Sequence, residues 1–356
     1  MMNRNMANFS TLISVVSGVT VLYLFYTSHV SFKTHTVFDA QKHLPGSVYL
    51  MTRYIYQSLR KKRGTMRKNK DTSDELAFTL VNCRYDAVSL RRFCSVSGYG
   101  WDYPDSVFRD VPLCYPEFLF TRLLTMIVCS ERFRLSPFGL MSVSESVRLS
   151  DALDELKRGM FSLQARVLEY RTVRAGVEVD LALTASRDQQ TVWSSTLTLL
   201  SPNNTHRPDA QPGLEITHGK GPYCRHISGY PVSERCITQA VPWSSGVRRT
   251  WVFGDLCPLP VFVWLGFARP STHPLWMFSR CMAEMEKHKG VEVVRAPLTV
   301  SVCYKQPVSL PRKVNIRVSE NTSVTSSTAS FSLEDHRTRT LYLTGQIKPQ
   351  TSQKAE

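Results

Sequence analysis

The chain has 356 residues, 44 Lys and Arg against 29 Asp and Glu, and a net charge of +15. Its hydrophobic fraction of 42% and aromatic fraction of 10% exclude a disordered chain, and its length allows two domains with proper cores. The positive balance favours anionic partners, yet no zinc-ligand spacing, helix-turn-helix signature or aromatic RNA-binding pattern accompanies it, so no nucleic acid is expected as a partner. The cysteines (Cys83, Cys94, Cys114, Cys129, Cys224, Cys236, Cys257, Cys281 and Cys303) number nine and never form a CxxC. That pattern predicts no metal site and no disulfide scaffold, but buried thiols in a reducing compartment.

In chain order, residues Thr11 to Val30 carry no charge and include Leu12, Ile13, Val15, Val16, Val19, Val21, Leu22, Leu24 and Phe25. At about 1.5 Å per residue this stretch reaches roughly 30 Å, the thickness of a bilayer core. No small-x-small cleavage site follows it, so it reads as an uncleaved, single-pass N-terminal transmembrane helix, with a cleaved signal peptide and a mitochondrial targeting segment as the alternatives. Cations are denser after it, at Lys33, Lys42, Arg53, Arg60-Lys61-Lys62-Arg63 and Arg67-Lys68-Asn69-Lys70. That bias places the bulk on the cytosolic side of an endoplasmic reticulum or mitochondrial membrane. The run from Arg60 to Lys70 reads either as a solvated linker or as a contact for anionic lipid headgroups.

Beyond Asp71 two halves follow one plan, a helix and then several strands. In the first, Pro116 opens a helix with Phe120, Leu123, Leu124, Ile127 and Val128 on one stripe. Strands are expected over 139–146, 161–170, 177–184 and 191–200. In the second, Pro274 opens a helix with Leu275, Phe278, Met282 and Met285 on one face. Strands are expected over 298–304, 314–318, 323–333 and 340–347, with Leu298, Val300, Val302 and Tyr304 alternating cleanly. The shared order of elements argues for a duplicated helix-plus-sheet unit. The domains are read as a membrane anchor (1–32), a basic linker (33–75), an N-terminal half (76–205), a linker rich in Pro, Asn, Gly and His (206–235), a C-terminal half (236–347) and a polar tail (348–356).

The segment Phe253-Gly254-Asp255-Leu256-Cys257-Pro258-Leu259-Pro260 with His273-Pro274-Leu275-Trp276, the strand-end Tyr304-Lys305-Gln306-Pro307-Val308 and the closing Leu343-Thr344-Gly345 resemble the MaoC-like dehydratase/hydratase family in its double hotdog form. The resemblance spans about residues 76 to 347. It implies an α+β fold in which two antiparallel sheets each wrap a long helix, the halves pairing within one chain in place of a dimer. It also implies an acyl-CoA or acyl carrier protein thioester as ligand, with no other cofactor.

The family's loop reads Asp-x-Asn-Pro-x-His, and addition of water across a double bond needs both ends of it for proton transfer. Carried over residue by residue, Asp255 takes the catalytic Asp and Pro258 the motif Pro, but Cys257 stands at the Asn position and Pro260 at the His. The family's helix-opening His-Gly step, whose amide stabilises the enolate oxygen, is here His273-Pro274, and proline has no N–H to give. The resemblance thus implies Asp255 and His273 as catalytic candidates, with Cys257, Trp276 and Phe278 against the substrate. Three functions compete: a membrane-anchored binder of fatty acyl thioesters with a degenerate or altered hydratase site, a catalytically inactive hotdog scaffold or lipid-binding module, and a thioesterase using a helix carboxylate such as Glu284 or Glu286. The last two acids are expected on the helix's polar face.

Overall fold

In the computed structural model, the described residues are 23, 25–42, 44–67, 75–100, 103–105, 110–203, 233–244, 271–323 and 326–350. Helix α1 covers 25–34, and α2 (Ser47–Arg60), α3 (Ala87–Ser97), α4 (Tyr115–Cys129) and α5 (Pro274–Lys289) follow. The strands are β1 (Val37–Asp39), β2 (Ala77–Cys83), β3 (Met141–Leu149), β4 (Phe161–Val173), β5 (Gly176–Arg187), β6 (Gln190–Pro202), β7 (Ser233–Val241), β8 (Leu298–Tyr304), β9 (Arg312–Ser323), β10 (Ser326–Asp335) and β11 (Leu341–Pro349).

All eleven strands form one sheet in the order β1-β2-β4-β5-β6-β3-β8-β11-β10-β9-β7. Its two sides repeat. A strand (β2 or β7) precedes the helix (α4 or α5), and the strand after the helix (β3 or β8) returns to the opposite edge of its own half. The next three strands fill the space between. The halves therefore meet edge to edge at β3 and β8, antiparallel from Ser144↔Cys303 to Leu149↔Leu298. This is a double hotdog, as the resemblance implied, with the two expected sheets joined at β3 and β8 into one. β1 adds one short parallel strand beside β2.

Each central helix is held by apolar burial. Phe120, Leu123, Met126 and Ile127 of α4 are buried, with Phe120 stacked on Trp193 of β6. In α5, Leu275, Phe278, Met282 and Met285 are buried, and Phe278 stacks on Phe331 of β10. Gly345 of β11 sits under the Phe331 ring, where any Cβ would collide with it.

Residues 33–75, read from the sequence as a basic linker, contain β1 and α2. Phe38, Tyr49, Leu50 and Tyr54 belong to the same apolar core as both central helices. No helix among the described residues is long and apolar enough to cross a membrane; residues 1–22 of the expected span lie outside the described residues. Helix α1 packs on α2 through Phe25 and Phe32, whose rings lie 5.0 and 5.9 Å from that of Tyr49. His29 Nδ1 is 3.0 Å from the Tyr49 hydroxyl.

One cysteine departs from the expectation of free thiols: Cys303 is disulfide-bonded. Cys83, Cys94, Cys114, Cys129 and Cys281 are buried free thiols and Cys236 an exposed one. Burial pushes Cys83, Cys94 and Cys129 up to about 12, so these thiols are poor nucleophiles.

Candidate functional site

The start of α5 is where the family's oxyanion donor would lie. His273 is the N-cap, in extended conformation, and its Nδ1 accepts the Leu275 N–H at 3.1 Å. Pro274 has no N–H to offer. The Met277 N–H returns to the His273 carbonyl at 3.2 Å. Of the first-turn donors, one is absent and one is taken by the helix's own cap. The strand-end phrase fixes this step from below: Thr272 N donates to the Val308 carbonyl (2.9 Å) and Val308 N to Thr272 Oγ1 (3.3 Å).

Two other expected contact residues are placed in the core. Trp276 is fully buried and its Nε1 donates to the Val96 carbonyl of α3 at 3.0 Å. Phe278 is fully buried against Phe331. Asp255 and Cys257, with the rest of their loop, lie outside the described residues.

Near His273 the structure assembles a carboxyl cluster that sequence reasoning did not single out. Glu145 on β3 accepts from Ser195 Oγ of β6 at 2.8 Å and from the Tyr304 hydroxyl of β8 at 2.9 Å. Glu117, in the first turn of α4, hydrogen-bonds to Glu145. All four side chains are buried, with Glu145 2% and Glu117 6% exposed.

Two carboxyls in hydrogen-bond contact inside a protein cannot both ionise. Burial, then the Glu145 charge, hold the Glu117 carboxyl well above the usual carboxylate range. Burial also raises Glu145, but the hydrogen bonds from Ser195, Tyr304 and Glu117 and the charge of His273 pull the other way. The pair is best described as Glu117 holding a proton and Glu145 ionised. Burial, reinforced by Glu145, drives the Tyr304 hydroxyl well above its ordinary value, so it donates and does not ionise. The cluster draws on α4, β3 and β6 from one half and on β8 and the α5 cap from the other, so it spans the seam.

A signal for it exists in the sequence. In β3 the buried positions are Val143, Glu145, Val147 and Leu149, so Glu145 occupies the apolar phase of an alternating strand. A carboxylate there needs partners.

Glu284 and Glu286 depart from the expected polar face. Both are buried, and the first half lies against α5 through α3 and through Tyr103, which reaches Glu286. Glu284 is paired with Arg280 (2.8 Å), Lys287 (3.3 Å) and His288 (3.5 Å). Glu286 accepts from the Tyr103 hydroxyl at 2.8 Å. Among the described residues no group of three or more potential ligands could hold a metal.

With this geometry in place, similarity to solved structures is clear. The chain is similar to HtdX of Mycobacterium tuberculosis, with a TM-score of 0.56 and 17% identity over 77% of this chain and 100% of that one. It is similar to a MaoC-like dehydratase from Phytophthora capsici, with a TM-score of 0.56 and 12% identity over 83% of this chain and 99% of that one. It is also similar to the peroxisomal multifunctional enzyme type 2 of Drosophila melanogaster, with a TM-score of 0.54 and 13% identity over 87% of this chain and 53% of that one. No family model and no curated protein sequence matches the chain. The chain shares the double hotdog fold of these proteins.

Proposed function

We propose that this protein binds fatty acyl thioesters in a double hotdog site whose hydratase/dehydratase chemistry is degenerate or altered. The start of α5 carries this reading. A hydratase needs a free backbone donor there, and here Pro274 offers none while His273 occupies the next one. Removal of one such donor costs about 100- to 1000-fold in rate. The sequence adds a second loss, Pro260 in place of the motif His. Fold similarity to MaoC-like dehydratases supports the thioester as ligand, and the basic surface suits the phosphates of coenzyme A or an acidic carrier protein.

The test uses the full chain, because residues from α1, β1 and α2 belong to the core. Trans-2-enoyl- and saturated acyl-CoAs of several chain lengths are titrated against it, following binding, hydration and free thiol. Saturable binding with no hydration, or with slow hydration that vanishes in Asp255→Asn, is the expected result. Absence of binding to every thioester overturns the reading in favour of a structural scaffold, and release of free thiol overturns it in favour of a thioesterase.

The anchoring role of the uncharged stretch 11–30, whose last residues Phe25 and His29 pack on Tyr49 at the surface of the body, with the bulk facing the cytosol from an endoplasmic reticulum or mitochondrial membrane, is part of the same proposal. It is supported by the absence of charge over those residues and the cations that follow. Resistance to alkaline extraction from membranes, lost when Val16 and Val19 are both changed to Asp, checks it.

A further inference from the structure

Helix α2 has two apolar faces and only one of them is covered. Tyr49, Leu50 and Tyr54 face the core, and Gln57 is buried beside them. On the other side Val48 is 77%, Ile55 40%, Tyr56 48% and Leu59 84% exposed. Val48, Ile55 and Leu59 fall on one helical stripe, with Thr52 between them turning its hydroxyl back to the Val48 carbonyl. The surroundings are of the same kind. Of the sixteen exposed large hydrophobic residues among the described ones, ten lie between Tyr23 and Met66. They include Tyr23, Tyr26 and Val30 of the N-terminal helical stretch, whose opposite side packs on Tyr49.

The charges that this stretch of chain itself carries have one sign. Between residues 40 and 67 the sequence holds Lys42, Arg53, Arg60, Lys61, Lys62, Arg63 and Arg67 and no acid. Arg53 is paired with Glu131, and Lys61 is buried with its ammonium on the Ser130 and Phe133 carbonyls. That leaves Arg60 and Lys62 exposed at the end of the helix, with the Arg63 guanidinium 5.3 Å from the centre of the half-exposed Phe138 ring. An apolar stripe bordered by cations with aromatic rings beside it is the composition of a helix that lies in the headgroup region of a bilayer. At about 1.5 Å per residue, its fourteen residues cover about 21 Å of membrane surface.

We infer that the outer face of α2 is a membrane-contact surface that lies flat on an anionic phospholipid bilayer. The inference deepens the anchoring reading and rests on it. The span tethers the chain, and α2 fixes how the double hotdog is oriented against the lipid. A tether without α2 leaves the body free to tumble; α2 without a tether gives only weak, salt-sensitive binding.

The experiment places an environment-sensitive fluorophore on Leu59→Cys, on Val48→Cys and, as a control on the far half, on Thr338→Cys, each in the full chain with Cys236→Ser. Each is mixed with phosphatidylcholine vesicles holding one third phosphatidylserine and a quencher-bearing lipid. Flotation is measured alongside quenching. All three sites are exposed, so labelling leaves the core intact. The expected result is flotation with at least threefold stronger lipid quenching at positions 48 and 59 than at 338. Flotation with equal, water-like signals at all three sites overturns the α2 contact and leaves the tether standing. Failure to float overturns both readings.

Discussion

The Tyr304 hydroxyl donates to Glu145 at 2.9 Å across the seam between the two halves, although the residues are 159 positions apart. The bond takes its donor from the last residue of β8 and its acceptor from the middle of β3, and both side chains are buried. Tyr304→Phe therefore leaves one oxygen of an ionised, buried carboxylate short of a donor. A loss of about 1–3 kcal/mol in stability is expected, read from the midpoint of urea unfolding. A midpoint equal to that of the parent means that Glu145 finds another donor.

Glu117 gives a pH signature. Its carboxyl is raised in the folded protein, so the folded state keeps a proton that the unfolded chain releases above the ordinary carboxylate range. Stability from this group is full below that range and falls as pH rises towards the folded-state value. Glu117→Gln keeps the shape and removes the titration. The variant is expected to gain on the parent as pH is raised from 4 to 8, seen as a widening difference in Tm. A constant difference across that interval argues against a protonated Glu117.

His273 separates capping from chemistry. His273→Ala frees the Leu275 N–H and should cost about 1 kcal/mol, the usual value of an N-cap. His273→Asn should restore most of that stability, because asparagine caps as well. If the imidazole serves only as a cap, the asparagine variant binds thioesters and turns them over like the parent. Normal folding with lost turnover assigns it a proton-transfer role.

Gly98 closes α3 at φ +92°, and a Cβ there runs into the Arg280 side chain of α5. Gly290 closes α5 at φ +88° with nothing near its Cβ position. Gly290→Ala therefore reports backbone strain alone, about 1–3 kcal/mol at a conformation (φ +88°, ψ 165°) that only glycine readily adopts. Gly98→Ala adds displacement of Arg280 from Glu284 and from Gln239, which accepts from Arg280 Nε at 2.7 Å. That displacement should add about 1–3 kcal/mol to an αL strain of about 1–2 kcal/mol. A loss at Gly98 no larger than the αL strain, measured by denaturant unfolding, speaks against that contact.

Much of the architecture was legible in local pattern. The alternation of Leu298, Val300, Val302 and Tyr304 located β8 to the residue. The stripes around Phe120 and Phe278 located both central helices, because burial on a curved sheet imposes one apolar face. Less could be read where a residue's environment comes from distant chain. Glu145 looks like an ordinary strand acid until Ser195 and Tyr304 are brought beside it. Glu284 and Glu286 look solvent-facing until α3 and Tyr103 are brought against α5. Residues 47–60 look like part of a charged spacer, because the apolar residues there serve two faces and blur the periodicity. The Gly254-Asp255 loop, which carries much of the family resemblance, lies outside the described residues.

The strand pair at the seam has one more implication. Subunits held by mutual association separate on dilution and must change together, since one gene encodes both. Here the sister units are covalently tied, so their ratio is one to one at any concentration. Each has also been free to diverge: α4 follows its opening proline with Glu117, whereas α5 follows its own with Leu275. The pairing of the halves at β3 and β8 accordingly does not depend on protein concentration, as befits an inseparable pair of unequal twins.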